Sequence, residues 1–559
     1  MFLNNEIKNG YNEKTMEYLA WLKTQGVKIN PKVTIFDYTA VNQGRGVIAT
    51  ENLEADEVIA TIPKSVLVNV TQNSLVKDYP HLEYELVHLN HWDGLIITLL
   101  YEFRRRGESR WASYLDVLPT SHFNQLMWWN SNELNMLQPS CILERIGKDS
   151  ALKMFERILK IINRLQITEL NDVTTEQYNV VATLIMSYSF DVEITDAEEE
   201  KLEDLVASER KARQPTTPQQ QRDNDVVRDF DRENESEREQ EQEQREDAMI
   251  SNLEDVEQRL EVAIIIDGYL KSMVPFADTL NADTNYNNAI VSDADENLVI
   301  KTITAIKTGD QIYNTYSDHP NSEILRRYGY VELEGSKFDF GEIPLSILKQ
   351  FFLEKYNVDE DKLDSLLDLI GEISNQEQMD EHSEDGTFEL VIESYDCFKS
   401  GEVIVELIFL VQLLTTFFLL DEIVELNRIR RVYRKCHQLI ESKTVTSDFI
   451  TNFNEIFKVR MDQYPNYAAQ PFNTVIAKEI RDVMAETVLK SEYQSLSACK
   501  EDVPRTLELT LGDKVKIIKD EKFLRAIRKK RLATDADADA DENVEQPPIK
   551  KDVKNNNSI

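Results

Sequence analysis

Residues 14–26 carry apolar side chains three and four apart, as one face of a short helix does, and the pattern then shortens to period two. "VTIFDY" (33–38), "EVIATIP" (57–63) and "SVLVNV" (65–70) alternate or run apolar as strands do, and "NQGRG" supplies turn chemistry ahead of "VIAT". From Asp93 to about Asp191 the spacing is helical in "GLIITLLYEFRRR", "ALKMFERILKIINRL" and "YNVVATLIMSYSF". It breaks over about 193–258, where charge, Gln and Pro dominate; this stretch cannot bury enough surface to offset chain entropy and is expected to be a disordered or loosely helical insert. A helical pattern resumes at "LEDVEQRLEVAIIIDGYL", and "LVIKTITAIKTGDQI" (298–312) is strand-like. Between Leu345 and Ile527 the spacing is again mainly helical, and 528–559 is a biased tail. The fold class expected is α+β: a β-rich domain over 32–332 with a helical insertion at about 93–191, preceded by an N-terminal helix (1–31) and followed by an all-α domain over 340–527.

At 559 residues the chain exceeds one core and calls for two or more domains. Lys plus Arg number 63 against 101 Asp plus Glu, a formal charge of −38, so the surface as a whole repels nucleic acid and attracts basic partners. No direct nucleic-acid binding is expected. Cys141, Cys397, Cys436 and Cys499 lie far apart without a C-x-x-C, against a zinc ribbon or a disulfide framework. Met1 to Asn30 holds no apolar run of signal-peptide length, and "VIVELIFLVQLLTTFFLL" (403–420) is interrupted by Glu406 and Gln412, which predicts a buried helix rather than a membrane span. The basic run Arg528, Lys529, Lys530, Arg531 fits either a nuclear import signal or a solvated helix end.

Three places could carry chemistry. Gly44 and Gly46 sit in a turn that would let backbone approach a ligand, though a single G-x-G without strand-turn-helix context reads first as a plain turn. His88 and His91, with His81 nearby, have no carboxylate or thiol pattern to complete a metal site, and "HLNHW" looks like a loop. In "VPFADTLNAD" an apolar run gives way to short polar residues, and about thirty residues on Tyr313, Tyr316, Tyr328 and Tyr330 crowd into eighteen positions.

"GRGVIAT", "SYSF", "MVPFADTLNAD" and "YNTYSDHPNSEILRRYGYVE", in that order from Gly44 to Glu332, resemble the SET-domain lysine methyltransferases. The resemblance is to the branch containing Rubisco large-subunit methyltransferase and the fungal ribosomal lysine methyltransferases. It implies methyl transfer from S-adenosylmethionine to a lysine that enters a channel walled by aromatics, with the cofactor on the opposite side. Tyr316 and Tyr328 match the family's catalytic tyrosines. Ser187, Tyr188 and Asp278 would line the lysine channel with them, the carbonyls near Ser187 and Asp278 completing an oxygen cage. Gly44, Arg45 and Gly46 match the loop around the cofactor's methionine portion, and Asn281, Ala282 and Tyr316 complete the cofactor set. Ala282 stands where many relatives have His, and Ser317 where many have Gly.

No metal is implied: the cysteine segment with which many histone-directed relatives close the channel is absent, and the helical region after Gly341 would take its place as the substrate-binding domain. That favours a non-histone target. The expectation is a monomeric enzyme, in the nucleus and also the cytoplasm, that monomethylates a basic protein of the large (60S) ribosomal subunit. The alternatives are a histone or other nuclear target, and a catalytically silent SET-like module that binds basic tails.

Overall fold

The computed structural model describes residues 5–213, 263–380, 389–420, 426–465 and 479–528. Most of the acidic insert, and Lys529, Lys530 and Arg531 of the basic run, lie outside the described residues. The chain divides into two compact units. The first holds residues 1–136, 142–337 and 479–487, and the second holds 137–141, 338–478 and 488–559.

The first unit is built on three small sheets. Strands β1 (Lys28–Ile29), β4 (Val58–Pro63), β8 (Asn297–Thr302) and β7 (Ala289–Ala294) lie side by side in the order β1-β4-β8-β7. β2 (Val33–Asp37), β3 (Arg45–Ala49) and β9 (Gln311–Ile312) form the second, and β5 (Ser189–Glu193) pairs with β6 (Tyr269–Met273) in the third. The β2–β3 hairpin closes where Tyr38 N–H bonds Gly44 O at 2.7 Å, with Asn42 and Gly44 in the left-handed region that tight turns demand. Two further segments run alongside each other without forming full strands: Asn281 bridges Tyr313 and Ala289 bridges Asn314, both parallel. This crossing brings "TLNAD" and "YNTY" together across thirty residues of sequence.

Helices cover the sheets. Asn5–Thr24, His91–Arg104, Lys148–Leu165 and Thr175–Tyr188 bury Tyr18, Leu22, Leu95, Leu99, Ile158, Ile162, Val181 and Ile185 in the core that also takes Val47, Ile59, Ile62 and Ile300 from the strands. In Thr175–Tyr188 a capping box between Thr174 and Gln177 satisfies the first-turn donors. "SVLVNV" differs from the predicted strand. Lys64–Val66 is a single 3-10 turn, and Leu67 to Val70 run as buried irregular chain with one bridge, Val68 to Met273. The buried Lys64 explains the departure: its ammonium reaches Glu193 O at 2.8 Å and Asp293 at 2.9 Å, which turns the chain away from the sheet. "HLNHW" is a helix start, with Asn90 capping His91–Arg104 through Asp93 N–H. His88 bonds Tyr84 O and His91 bonds Asp267, so the two rings serve separate partners.

The second unit is helical, with Leu345–Tyr356, Glu360–Asp380, Val405–Leu420, Leu426–Glu441, Ser447–Met461 and Val503–Leu511 around one core. Two ribbons add to the helices expected there: β10 (Phe340–Pro344) antiparallel to β11 (Ser394–Phe398), and β12 (Thr444–Thr446) parallel to β13 (Lys516–Ile518). β12 and β13, three residues each, are too short to show a period, and the five-residue β10 and β11 are set in a stretch whose spacing is otherwise helical. Val405–Leu420 is buried on all sides, and its buried Gln412 is satisfied by Thr416 and Thr446. Among the described residues no helix is long and apolar enough to cross a membrane, and the four buried cysteines form no disulfide.

Candidate active site

The chain leaves β6 at Met273 and turns sharply at Phe276, whose φ of 77° is left-handed and is held by its N–H donating to Tyr18 Oη at 2.6 Å. A 3-10 turn, Ala277–Thr279, follows and buries Asp278, which is 8% exposed. Burial pushes this carboxyl up to about 7, while hydrogen bonds from Tyr114, Thr279 and nearby backbone N–H groups pull it part of the way back. The next carbonyl, Leu280 O, accepts the Tyr316 hydroxyl at 2.6 Å.

Tyr316 is the centre of an aromatic cluster. Its ring lies 5.0 Å from that of Tyr328, and Tyr328 lies 6.4 Å from Tyr330 and 6.3 Å from His319. Burial raises the hydroxyl of Tyr316 well above the ordinary phenol range, and Tyr188, Asp278 and Tyr328 add to the shift. Tyr188 rises to about 12 through burial and then Asp278. These phenols are therefore neutral donors across the physiological range, able to orient an amine and unable to act as bases. Asp278 also raises Tyr18 and Tyr114, so one buried carboxyl is shared by four phenols brought from four parts of the chain.

A second layer holds this cluster. The Ser187 hydroxyl donates to Arg327 O at 2.8 Å and accepts from Gln125 Nε2 at 2.9 Å, tying Thr175–Tyr188 to the helix Asn321–Tyr328. That helix ends at Gly329, whose φ is 73° and whose missing side chain leaves room for Gln125: a Cβ there would stand 2.9 Å from its N and Oε1. The buried Glu332 takes Thr284 N–H at 2.7 Å and the Thr284 hydroxyl, while Asn321 brackets its backbone. The loops carrying Asn281 and Tyr328 are thereby fastened to each other.

On the other side of this crossing, Gly46 forms a cradle. A Cβ on it would lie 2.6 Å from Asn281 Nδ2, 2.7 Å from Gln311 Nε2 and 2.8 Å from the Tyr38 ring. Both amide nitrogens are buried without a hydrogen-bond partner among the described residues. Gln311 is held in place by Tyr313, whose hydroxyl donates to Gln311 Oε1 at 2.9 Å. Two converging unpaired donors over a bare glycine suit a group that carries acceptors, such as a carboxylate.

The structure thus brings Ser187, Tyr188, Asp278, Tyr316 and Tyr328 into one cluster, and Gly46 and Asn281 into an adjoining one. Ala282 is buried next to Asn281, and Gly44 lies on the hairpin turn with open space around it. Arg45 stands apart. Its guanidinium bonds Thr15 Oγ1 and Val117 O at 3.0 Å and covers the Tyr11 ring at 3.8 Å, because strand alternation points it to the opposite side from Gly46. The sequence reading missed Tyr18, Tyr114, Gln125 and Gln311. Gln311 sits two residues before Tyr313 and was open to notice; the other three arrive from remote segments with no local signal.

The fold and the crossing of segments at the tyrosines define a SET-domain protein: a family model for the SET domain matches residues 44–317. The chain is 34% identical over 561 aligned residues to ribosomal lysine N-methyltransferase 4 of Saccharomyces cerevisiae, covering 97% of this chain and 99% of that protein. Ribosomal lysine N-methyltransferase 4 of Schizosaccharomyces pombe is 25% identical over 60% of this chain and 70% of its own length. A solved structure of Rubisco LSMT bound to AdoMet has the same fold, with a TM-score of 0.52 at 16% identity, covering 89% of this chain and 93% of that one. The chain belongs to the SET-domain protein-lysine methyltransferases and is a protein-lysine N-methyltransferase.

Proposed function

We propose that this protein monomethylates a lysine of a large-subunit ribosomal protein, using S-adenosylmethionine. The observation that carries the substrate is the likeness along almost the whole chain to a ribosomal lysine N-methyltransferase. Support for the cofactor comes from the family, from the AdoMet held by Rubisco LSMT, and from the unpaired amides of Asn281 and Gln311 over Gly46. When bound, S-adenosylmethionine supplies an electrophilic methyl on a sulfonium. The residues of this chain do the rest. Tyr188, Tyr316 and Tyr328 wall a water-poor site for the lysine, and Leu280 O with the Tyr316 hydroxyl offers oxygens to the amine and to the positive charge near it. Keeping a lysine neutral at pH 7 costs about 4 to 5 kcal/mol from its ordinary pKa, and desolvation by these rings contributes to that.

The helical second unit is assigned to substrate binding. We place the enzyme in the nucleus, on the strength of the basic run that begins at Arg528. The test is transfer of labelled methyl from S-adenosylmethionine to ribosomal proteins from cells lacking this protein, comparing wild type with Tyr316→Phe and with histones offered in parallel. One labelled large-subunit protein that depends on Tyr316 is the expected result; label on histones alone would move the substrate to chromatin.

A further inference from the structure

The net charge of −38 hides an uneven distribution. Over 426–448 and 511–528, twelve Lys and Arg stand against five Asp and Glu. The structure draws these two stretches together within the second unit. β12 pairs in parallel with β13, so Thr444 faces Lys516. Lys443 O accepts Lys516 N–H at 2.9 Å, the Lys443 ammonium reaches Leu511 O, and Arg431 donates to Ile527 O in the helix at 520–528. Helix Leu426–Glu441 turns Ile429, Val432, Tyr433, Cys436, Leu439 and Ile440 into the core, which leaves the polar positions between them to form its outer side.

Four of these twelve cations are uncommitted. Lys514, Lys516, Lys519 and Lys522 are exposed and meet no carboxylate at ion-pair distance among the described residues. Asp520, the acid between them, is occupied by Ser447 Oγ at 2.7 Å and Asp448 N–H at 2.8 Å. Large apolar side chains are sparse here: Ile517 is exposed on β13, and Leu509 on the helix before it. A protein partner normally adds buried apolar anchors to charge, whereas a phosphodiester backbone offers regularly spaced charge with none.

We propose that this basic face, formed by helix Leu426–Glu441, β13 and the helix at 520–528, docks the phosphate backbone of RNA. The acidity of the whole chain argued against nucleic acid; the local field is what a contacting strand meets, because charges beyond about 8 to 10 Å are screened at physiological salt. The choice of RNA rests on the proposed ribosomal substrate, which is carried on an RNA-rich particle.

The test is fluorescence anisotropy of a labelled 24-nucleotide oligouridylate with the full chain, alone and in competition with poly-glutamate at equal charge. A variant carrying Lys514→Glu, Lys516→Glu, Lys519→Glu and Lys522→Glu is compared with the same four positions changed to Gln. Binding is expected at 50 mM salt and should fall about 50-fold by 200 mM if four phosphates are contacted. It should weaken at least tenfold in the Glu variant and less in the Gln variant, with poly-glutamate failing to compete. No binding by the wild type, or displacement by poly-glutamate at equal charge, would overturn the proposal, the latter in favour of an acidic protein partner. Methylation of isolated, RNA-free ribosomal proteins should be unchanged in the variants. That readout fails only if the substrate reading fails, whereas anisotropy fails only if the docking reading does.

Discussion

Asp278→Asn is the perturbation that best separates the buried carboxyl from the cluster around it. In the folded protein this carboxyl titrates at about 7, against 3.8 in its ordinary state. Below about pH 4 it is neutral whether the chain is folded or not, and there is no penalty. Between pH 4 and 7 the unfolded chain ionises while the fold resists, so stability falls as pH rises, and above about 7 the full penalty stands. About three pKa units correspond to about 4 kcal/mol, a ceiling that the hydrogen bond from Tyr114 does not change, because an Asn oxygen accepts it equally well. The extra amide N–H of Asn needs a partner in a buried place, which lowers the expected gain to about 2 kcal/mol.

The assay is urea unfolding by tryptophan fluorescence at several pH values from 4.5 to 8. All five tryptophans, Trp21, Trp92, Trp111, Trp128 and Trp129, lie in the first unit, so the signal reports the unit that holds Asp278. The variant should be about 1 kcal/mol less stable than the wild type at pH 4.5, where the amide cost outweighs the small ionisation penalty, cross it at about pH 5 and exceed it progressively up to about pH 7, with little further divergence above. Parallel curves at every pH would show that the carboxyl ionises normally and that the desolvation argument is wrong.

Tyr316→Phe removes the hydroxyl that bonds Leu280 O and should lower kcat by about 100-fold or more while calorimetry finds S-adenosylmethionine affinity within a few-fold of wild type. Gly46→Ala drives a methyl into the Asn281 and Gln311 amides and the Tyr38 ring; titration should show at least tenfold weaker cofactor binding, with about 1 to 3 kcal/mol lost in stability. Gly329→Ala meets both a φ of 73° and the Gln125 backbone at 2.9 Å, so it should destabilise the first unit by about 2 kcal/mol or more in the same tryptophan assay. Gln311→Leu leaves Tyr313 without its acceptor and removes one cradle donor; a rise in cofactor Kd with the urea midpoint little changed is expected, and an unchanged Kd would exclude Gln311 from the cofactor site.

Local chemistry was enough to locate β2, β3, β4 and β8, the main helices of the first unit, the hairpin turn at Gly44 and the tyrosine-rich segment, because period, turn residues and clustering are properties of neighbours in sequence, whereas β5 and β6 adjoin helical runs that absorbed them. Lys64 shows where that logic stops: an apolar run reads as a strand until a buried ammonium bonds Glu193 O and Asp293 on remote segments and bends it away. The ribbons of the second unit escaped because β12 and β13 are too short to show a period and the five-residue β10 and β11 lie within a stretch of mainly helical spacing.

The site divides along the same line. Tyr316, Tyr328 and Asn281 stand in motifs legible from the chain itself. Only tertiary structure decided that Arg45 turns to Tyr11 and away from Gly46, and that Tyr18 and Tyr114 share Asp278 with Tyr188 and Tyr316. It also set the titration of Asp278, because a carboxyl's pKa depends on the water excluded by side chains hundreds of residues away in sequence. Sequence determines which groups are available and which local conformations they favour. Their distances, burial and partners, which set the chemistry, come from the packing.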